Sequence, residues 1–200
     1  MFFYPVRFLP IKTGIVLFLL SKLPGMRKLR TSELNRLTVE EFKKSSKIPV
    51  TVVLDNIRSL NNVGSVFRTS DALKVEKIVL CGITATPPNK EIHKTALGAE
   101  DAVEWSYAEK TEEAIAELKA KGYVICSLEQ VENSTSLMDF EPDATKRYVI
   151  VLGNEVKGVQ QQIVNISDVC IEIPQFGTKH SFNVSVSAGI VLWEVFRKLN

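Results

Sequence analysis

Tyr148-Val149-Ile150-Val151-Leu152-Gly153-Asn154-Glu155-Val156-Lys157-Gly158 is the stretch that decides the fold. Its first five residues are apolar without alternation, and the middle three are β-branched. Such a run reads as a strand covered on both faces, the habit of parallel sheets. Gly153, directly after the strand, leaves room for a ligand against bare backbone. Gly153 and Gly158 invite comparison with a P-loop, but the Lys-Ser/Thr pair that should follow is missing. The dinucleotide fingerprint G-x-G-x-x-G is missing too. Both absences argue against ATP hydrolysis and NAD chemistry. Taken alone, the segment reads equally as a tight turn.

Working outward, further strands are expected at Val50–Leu54, Lys77–Leu80, Val103–Trp105, Tyr123–Leu128 and Val169–Ile173, the last stopped by Pro174. Between them the spacing predicts helices. Thr38-Val39-Glu40-Glu41 has the form of a capping box and opens a short helix through Ser45. Val63–Leu73 and Glu91–Leu97 follow. Thr111 is expected to cap a helix that buries Ala114, Ile115 and Leu118 and stops before Gly122. Asn183–Leu199 is apolar on most faces and is expected to be largely packed away. Asn56–Asn61 and Thr84–Asn89 read as loops, and Glu129–Asp143 as a long polar connection. This alternation gives an α/β domain with a mostly parallel sheet flanked by helices. Ligands in such sheets bind outside the carboxyl ends of the strands. The loops after Leu54, Leu152 and Ile173 lie there.

In the first of these loops, the pair Asn61-Asn62 stands at a helix start, where Asn caps well. Gly64 lets another backbone approach, and Arg68 falls on the same face one turn later. An arginine beside a helix start can hold a phosphate and aim a hydroxyl, although an N-cap with a surface arginine explains this loop equally well. The third loop, Ile173 to Gly189, ends in a helix that Ser181 or Asn183 can cap. Asn183 and Ser185 are polar at the mouth of an otherwise apolar helix.

Charge is unevenly placed. Residues 1–47 hold ten Lys/Arg against three Asp/Glu, and the remainder fifteen against twenty. A basic front on a mildly acidic body suits a polyanion, and also a solvated helix. Cys81, Cys126 and Cys170 are odd in number, form no CxxC and sit in or just after apolar runs, so they read as buried thiols of a reducing compartment. With His93 and His180 far apart, no metal site is expected. Residues 1–25 form an apolar extension whose densest run, Gly14 to Leu20, is too short to span a bilayer. It lacks a small-x-small cleavage site. Met26 is the expected start, residues 26–47 a short basic helical segment, and residues 48–200 the main domain. No membrane role is expected.

Together, in this order and spacing, the three loops resemble the SpoU (TrmH-like) family of the SPOUT RNA methyltransferase superfamily. The resemblance runs from about Val50 to Leu199. It rests on Asn62-x-Gly64-x-x-x-Arg68, on Leu152-Gly-Asn-Glu-x-x-Gly158, and on I-P-x-x-G-x-x-x-S-x-N-V-S from Ile173 to Ser185. The resemblance implies an α/β domain whose C-terminal part forms a trefoil knot, a rare exception to the rules of chain connection. It implies a cytoplasmic homodimer with the active site beside the knot. The cofactor would be S-adenosyl-L-methionine, the partner tRNA or rRNA, and the activity methylation of a ribose 2′-hydroxyl.

By position, Gly153, Ile173, Ser181 and Phe182 match cofactor-binding residues, and Leu128 an adenosine contact. Phe182 departs mildly, since Leu is commoner there. Arg68 matches the main catalytic residue, with Asn62, Glu155, Asn183 and Ser185 shaping the site. The resemblance assigns Arg68 as general base. Arginine stays protonated under ordinary conditions, so phosphate binding and stabilisation of the emerging alkoxide suit it better. A relative that binds RNA without catalysis is disfavoured by the presence of Arg68, Glu155, Asn183 and Ser185. Base methylation is disfavoured by the S-x-N-V-S ending. Relatives often carry a separate RNA-binding domain or long helical extensions. Here the basic segment 26–47 takes that part, or the knot domain binds RNA unaided. A chain beginning at Met26 should be soluble, dimeric and active; sedimentation and methyl-transfer assays check this, and loss of fold would show that residues 1–25 belong to the body.

Overall fold

The computed structural model describes residues 26–200. The expectations for residues 1–25 lie outside the described residues. The chain divides into two compact units, residues 1–36 and 37–200. In the first, the described residues form one 3₁₀ turn, Thr31–Glu33, beside which Arg27 pairs with Glu33 at 2.6 Å. The basic segment expected over residues 26–47 is thus divided, because Leu37 onward belongs to the second unit.

In that unit α1 (Val39–Lys44) starts at the expected capping box: Glu41 N–H donates to Thr38 Oγ1 at 3.2 Å, and Thr38 N–H to Glu41 Oε2 at 2.8 Å. Then come β1 (Ile48–Asp55), α2 (Leu60–Ala72), β2 (Val75–Cys81), α3 (Lys90–Ala96), α4 (Ala99–Ala102), β3 (Glu104–Ala108) and α5 (Thr111–Ala120). β4 (Tyr123–Leu128), β5 (Thr135–Ser136), β6 (Arg147–Leu152), α6 (Gln161–Ile166), β7 (Val169–Glu172) and α7 (Val184–Leu199) complete it. The seven strands form one sheet in the order β3-β2-β1-β6-β4-β7-β5. Every pairing is parallel.

The apolar runs are buried on both faces, as their lack of alternation requires. On one face Val50, Val52, Leu54, Tyr148, Ile150 and Leu152 pack with residues of α2, α3 and α7. On the other, Val53, Val149 and Val151 pack under Ala114, Ile115 and Leu118 of α5 and Ile163 of α6. Burial pushes the thiols of Cys81 and Cys126 up to about 12, so both are unreactive at neutral pH.

Several local expectations change. Lys110, not Thr111, is the N-cap of α5, because the Thr111 hydroxyl turns inward to Asp55 at 2.6 Å. The connection after β4 is not wholly polar: Leu137 and Phe140 are buried in the core. α7 is largely packed as expected, with Val184, Ala188, Val191, Leu192 and Val195 in the core, but Val186 and Trp193 are left exposed. Gly64 does admit close backbone approach. A Cβ there would overlap the carbonyl oxygen of Ile92 and the hydroxyl of Thr95 on α3. That hydroxyl donates to the Asn61 carbonyl at 3.0 Å, locking α3 to the start of α2. Gly64→Ala improves helix propensity by ~1 kcal/mol but forces these helices apart, a strain of about 1–3 kcal/mol. The variant should therefore be no more stable than wild type, and less stable if the helices cannot part, as read by chemical denaturation.

Candidate active site

Beyond the carboxyl ends of β4, β6 and β7 lies a cavity of about 520 Å³. Leu128, Gly153, Glu155, Ile173, Ser181, Phe182 and Asn183 all line it. Three segments far apart in sequence are thus brought to one place, because parallel strands deliver their C-terminal loops to the same sheet edge.

The loop after β6 is a tight lobe. Asn154 and Gly158 exchange two backbone hydrogen bonds of 2.9 Å. The Asn154 carboxamide oxygen accepts from Val156 N–H at 2.9 Å and Lys157 N–H at 3.2 Å, while its amide donates to the Asn56 carbonyl at 2.7 Å. Gly153 has a constraint of its own beside the cavity. A Cβ there would overlap the backbone of Gly158 and Val159, so the bare α-carbon is required by the lobe's own folding.

Glu155, at the tip, reaches back to the N-terminus of α2. Its Oε2 accepts from Arg58 N–H and its Oε1 from Ser59 N–H, each at 3.0 Å. Asn62 Nδ2 donates to the same Oε1 at 3.0 Å. A carboxylate at a helix N-terminus gains both hydrogen bonds and the favourable end of the helix dipole. Partial burial is the largest single influence and pushes the Glu155 pKa up. The N–H donors of Arg58, Ser59 and Glu155 itself, with the Asn62 amide, outweigh it and hold the group below the ordinary glutamate range. Glu155 is therefore an ionised acceptor and a poor proton acceptor in catalysis.

The helix ends differ from expectation. Ser59, not an asparagine, caps α2, with its hydroxyl accepting from Asn62 N–H at 3.3 Å. This frees the Asn62 side chain to link two loops. Asn183 Nδ2 donates to Asn62 Oδ1 at 3.2 Å. Asn183, rather than Ser181, caps α7. Its Oδ1 also accepts from the Ser185 hydroxyl at 2.7 Å. Glu155, Asn62, Asn183 and Ser185 therefore form one connected chain, which meets the cavity wall at Glu155 and Asn183; Asn62 and Ser185 stand behind that wall.

Arg68 stands apart from that chain. It is exposed and lines a separate groove of about 240 Å³ with Leu37, Phe42 and Gly98 among others. It lies six residues beyond Asn62, roughly 9 Å along α2. Two acids escaped the reading of the motifs. Asp55 is fully buried, accepting from Thr111 Oγ1 at 2.6 Å, Gln160 Nε2 at 2.7 Å, Asn56 Nδ2 at 2.9 Å and Gln160 N–H at 3.1 Å. Glu129 lines the cavity directly after Leu128. Both follow the last apolar residue of a buried parallel strand, which is the signal that could have found them. Among the described residues no group of three His, Cys, Asp or Glu could hold a metal ion. No described helix is long and apolar enough to cross a membrane.

A protein of Staphylococcus saprophyticus whose name places it in the TrmH family of tRNA/rRNA methyltransferases is 32% identical over 162 residues, covering 81% of this chain and 64% of that relative. A counterpart in Staphylococcus aureus is 28% identical over 80% of this chain and 63% of its own length. The chain thus spans somewhat less than two thirds of these curated relatives. Among solved structures, a TrmH/SpoU tRNA modifying enzyme of A. aeolicus superposes with a TM-score of 0.71 at 28% identity, covering 80% of each chain. An AdoMet-bound rRNA methyltransferase from Sinorhizobium meliloti gives 0.71 at 27% identity, over 80% of this chain and 60% of that one. Residues 49–193 match the SpoU rRNA Methylase family, and with its three loops gathered at one sheet edge the chain belongs to that family.

Proposed function

We propose that this chain is an S-adenosyl-L-methionine-dependent RNA methyltransferase that modifies a ribose 2′-hydroxyl of tRNA or rRNA. The observation that carries the reading is the hydrogen-bonded chain Glu155–Asn62–Asn183–Ser185, which meets the 520 Å³ cavity at Glu155 and Asn183. The cavity volume falls within the range of small-molecule sites. Leu128, Leu152, Ile173 and Phe182 supply apolar walls for an adenine ring, and Glu129, Gln130 and Ser181 supply polar groups. These residues fit the cofactor. When bound, it supplies a methyl group on a sulfonium, open to in-line attack.

The chain's own residues hold and aim the acceptor. Asn62, Asn183 and Ser185 are neutral groups that both donate and accept, a set suited to orienting a hydroxyl. Positioning of this kind supplies much of the rate of a group transfer. Glu155 fixes Asn62 and does not take the proton. The Arg68 guanidinium is a planar fork that can meet a phosphate with two hydrogen bonds. Its place on a groove away from the cavity suits a contact with the RNA phosphate backbone more than a contact with the cofactor.

The trefoil knot belongs to the same reading. β6 returns between β1 and β4, and β7 lies beyond β4. The segment 173–183 then comes back to the cavity. The homodimer is supported by exposed Val186 and Trp193, seven residues apart on one side of α7, with exposed Phe182 just ahead of the helix; a second copy would cover them. Unpaired cysteines suit a reducing, cytoplasmic setting.

Glu155 makes its contribution to stability as an anion. Its folded pKa is below the ordinary 4.5, so the contribution is complete above that value and is lost as pH falls through the folded pKa. Wild type should therefore melt above Glu155→Gln at pH 7, with the gap closing on acidification; a gap that does not change with pH removes the anionic clamp. For Arg68, methyl transfer to an unmodified transcript, mapped for 2′-O-methylation, is the decisive measurement. Arg68→Ala should weaken transcript binding and lower transfer at subsaturating RNA by about 10-fold, the size of one lost hydrogen bond to a charged group, with cofactor affinity unchanged. Arg68→Lys should recover part of the rate, since it keeps the charge and loses the planar fork. Full activity in Arg68→Ala overturns the assignment, and methylation of a base in place of ribose overturns the proposed chemistry.

A further inference from the structure

Glu129 has a place in the cavity that neither the motifs nor the clamp around Glu155 explains. It follows Leu128 at the carboxyl end of β4, and its N–H donates to the Ile171 carbonyl at 3.0 Å, extending the pairing of β4 with β7. Its side chain crosses to the loop after β6. Oε2 accepts from Val159 N–H at 2.8 Å, and Oε1 from Gln130 N–H at 2.9 Å. Gly158 passes directly beside this carboxylate with φ +67°, and a Cβ there would overlap Oε2. The bare glycine makes the room that the acid occupies. Glu129 is therefore a half-buried acid in the cavity wall, held at both oxygens by backbone donors and unable to turn away.

A carboxylate offers about four lone-pair positions. The backbone takes one at each oxygen, which leaves one at each oxygen for a ligand. Two other acceptors nearby are engaged: the Asn154 carboxamide oxygen holds Val156 and Lys157 N–H, and Glu155 is turned to α2. Glu172 also lines the cavity, but no backbone donor holds its carboxylate in place among the described hydrogen bonds, and it is the rival that the experiment separates. Two adjacent free acceptor positions match the two O–H donors of a vicinal diol. An acid at a strand's carboxyl end is also how other α/β nucleotide sites take hold of a ribose. The same negative charge disfavours a phosphate in this part of the cavity, so it selects a nucleoside group over a nucleotide.

We propose that Glu129 reads the ribose of the adenosyl group, accepting hydrogen bonds from its 2′- and 3′-hydroxyls. This rests on the reading of the cavity as an S-adenosylmethionine site. Calorimetry on the full chain with S-adenosylhomocysteine and its 2′-deoxy analogue tests it without turnover. Wild type should prefer the ribose form by about 10-fold or more, the size expected for a hydrogen bond to a charged group. Glu129→Ala should bind the ribose form about 10- to 100-fold more weakly and lose the preference for it. Glu129→Gln, which keeps the shape and one carbonyl acceptor, should retain part of both.

If Glu129→Ala weakens both ligands equally and the preference persists, the acid only braces the loop and the proposal is overturned. It is overturned equally if Glu172→Ala, on the neighbouring strand, removes the preference instead. Melting of each variant with and without S-adenosylhomocysteine separates lost binding from lost fold. Wild type that binds neither ligand overturns the cofactor reading itself, and this proposal with it.

Discussion

The carboxylate of Glu155 on the amino end of α2 is the interaction on which the rest of the site depends. It joins the loop after β6 to the loop after β1 by three hydrogen bonds, two of them to backbone N–H groups. Those N–H groups belong to the N-cap Ser59 and the residue before it, at the end of the helix where N–H groups lack helical partners. The carboxylate satisfies them and in turn fixes Asn62, through which Asn183 and the start of α7 are reached. Three loops that the chain visits at widely separated times are thus held in register by one charge.

Glycine supplies the complementary constraint. Gly64, Gly153 and Gly158 each stand where another group of the protein comes too close for a side chain: α3, the backbone of the lobe, and the Glu129 carboxylate respectively. At Gly153 the crowding is internal to the lobe, so the space beside the cavity exists because the lobe folds tightly upon itself. The cavity wall and the lobe's geometry are therefore one property. A substitution there would act on binding through the backbone.

The sheet was legible because its signal is strong. Runs such as Val149 to Leu152 admit few interpretations, and Tyr123–Leu128 begins and ends where the apolar run does. Thr38 and Glu41 declared their helix start by a local pattern that tertiary packing did not override. Short elements were another matter. α6 has six residues, too few to show a helical period, and β5 has two. Leu137 and Phe140 are isolated apolar residues in a polar stretch, and only the folded chain shows that they are buried. In the candidate site, Ser59 displaced the asparagines as cap because the choice turns on side-chain direction. Arg68 separated from Asn62 for a similar reason, since six residues along a helix change both height and facing.

Asp55 has a wider consequence. It ends β1 on the face of the sheet covered by α5 and α6, and there it holds Thr111 at the start of α5 and Gln160 at the threshold of α6. Gln160 is also where the lobe bearing Asn154 and Glu155 rejoins the body. The lobe is thus tied down from behind the sheet as well as from in front of it. Residues on the rear layer, remote from any substrate, share in aligning the front, and the two layers cannot drift independently at this end of the molecule. In mechanical terms the loop is a beam clamped at both ends, and its stiffness is set partly by side chains on the far side of the sheet from the cavity.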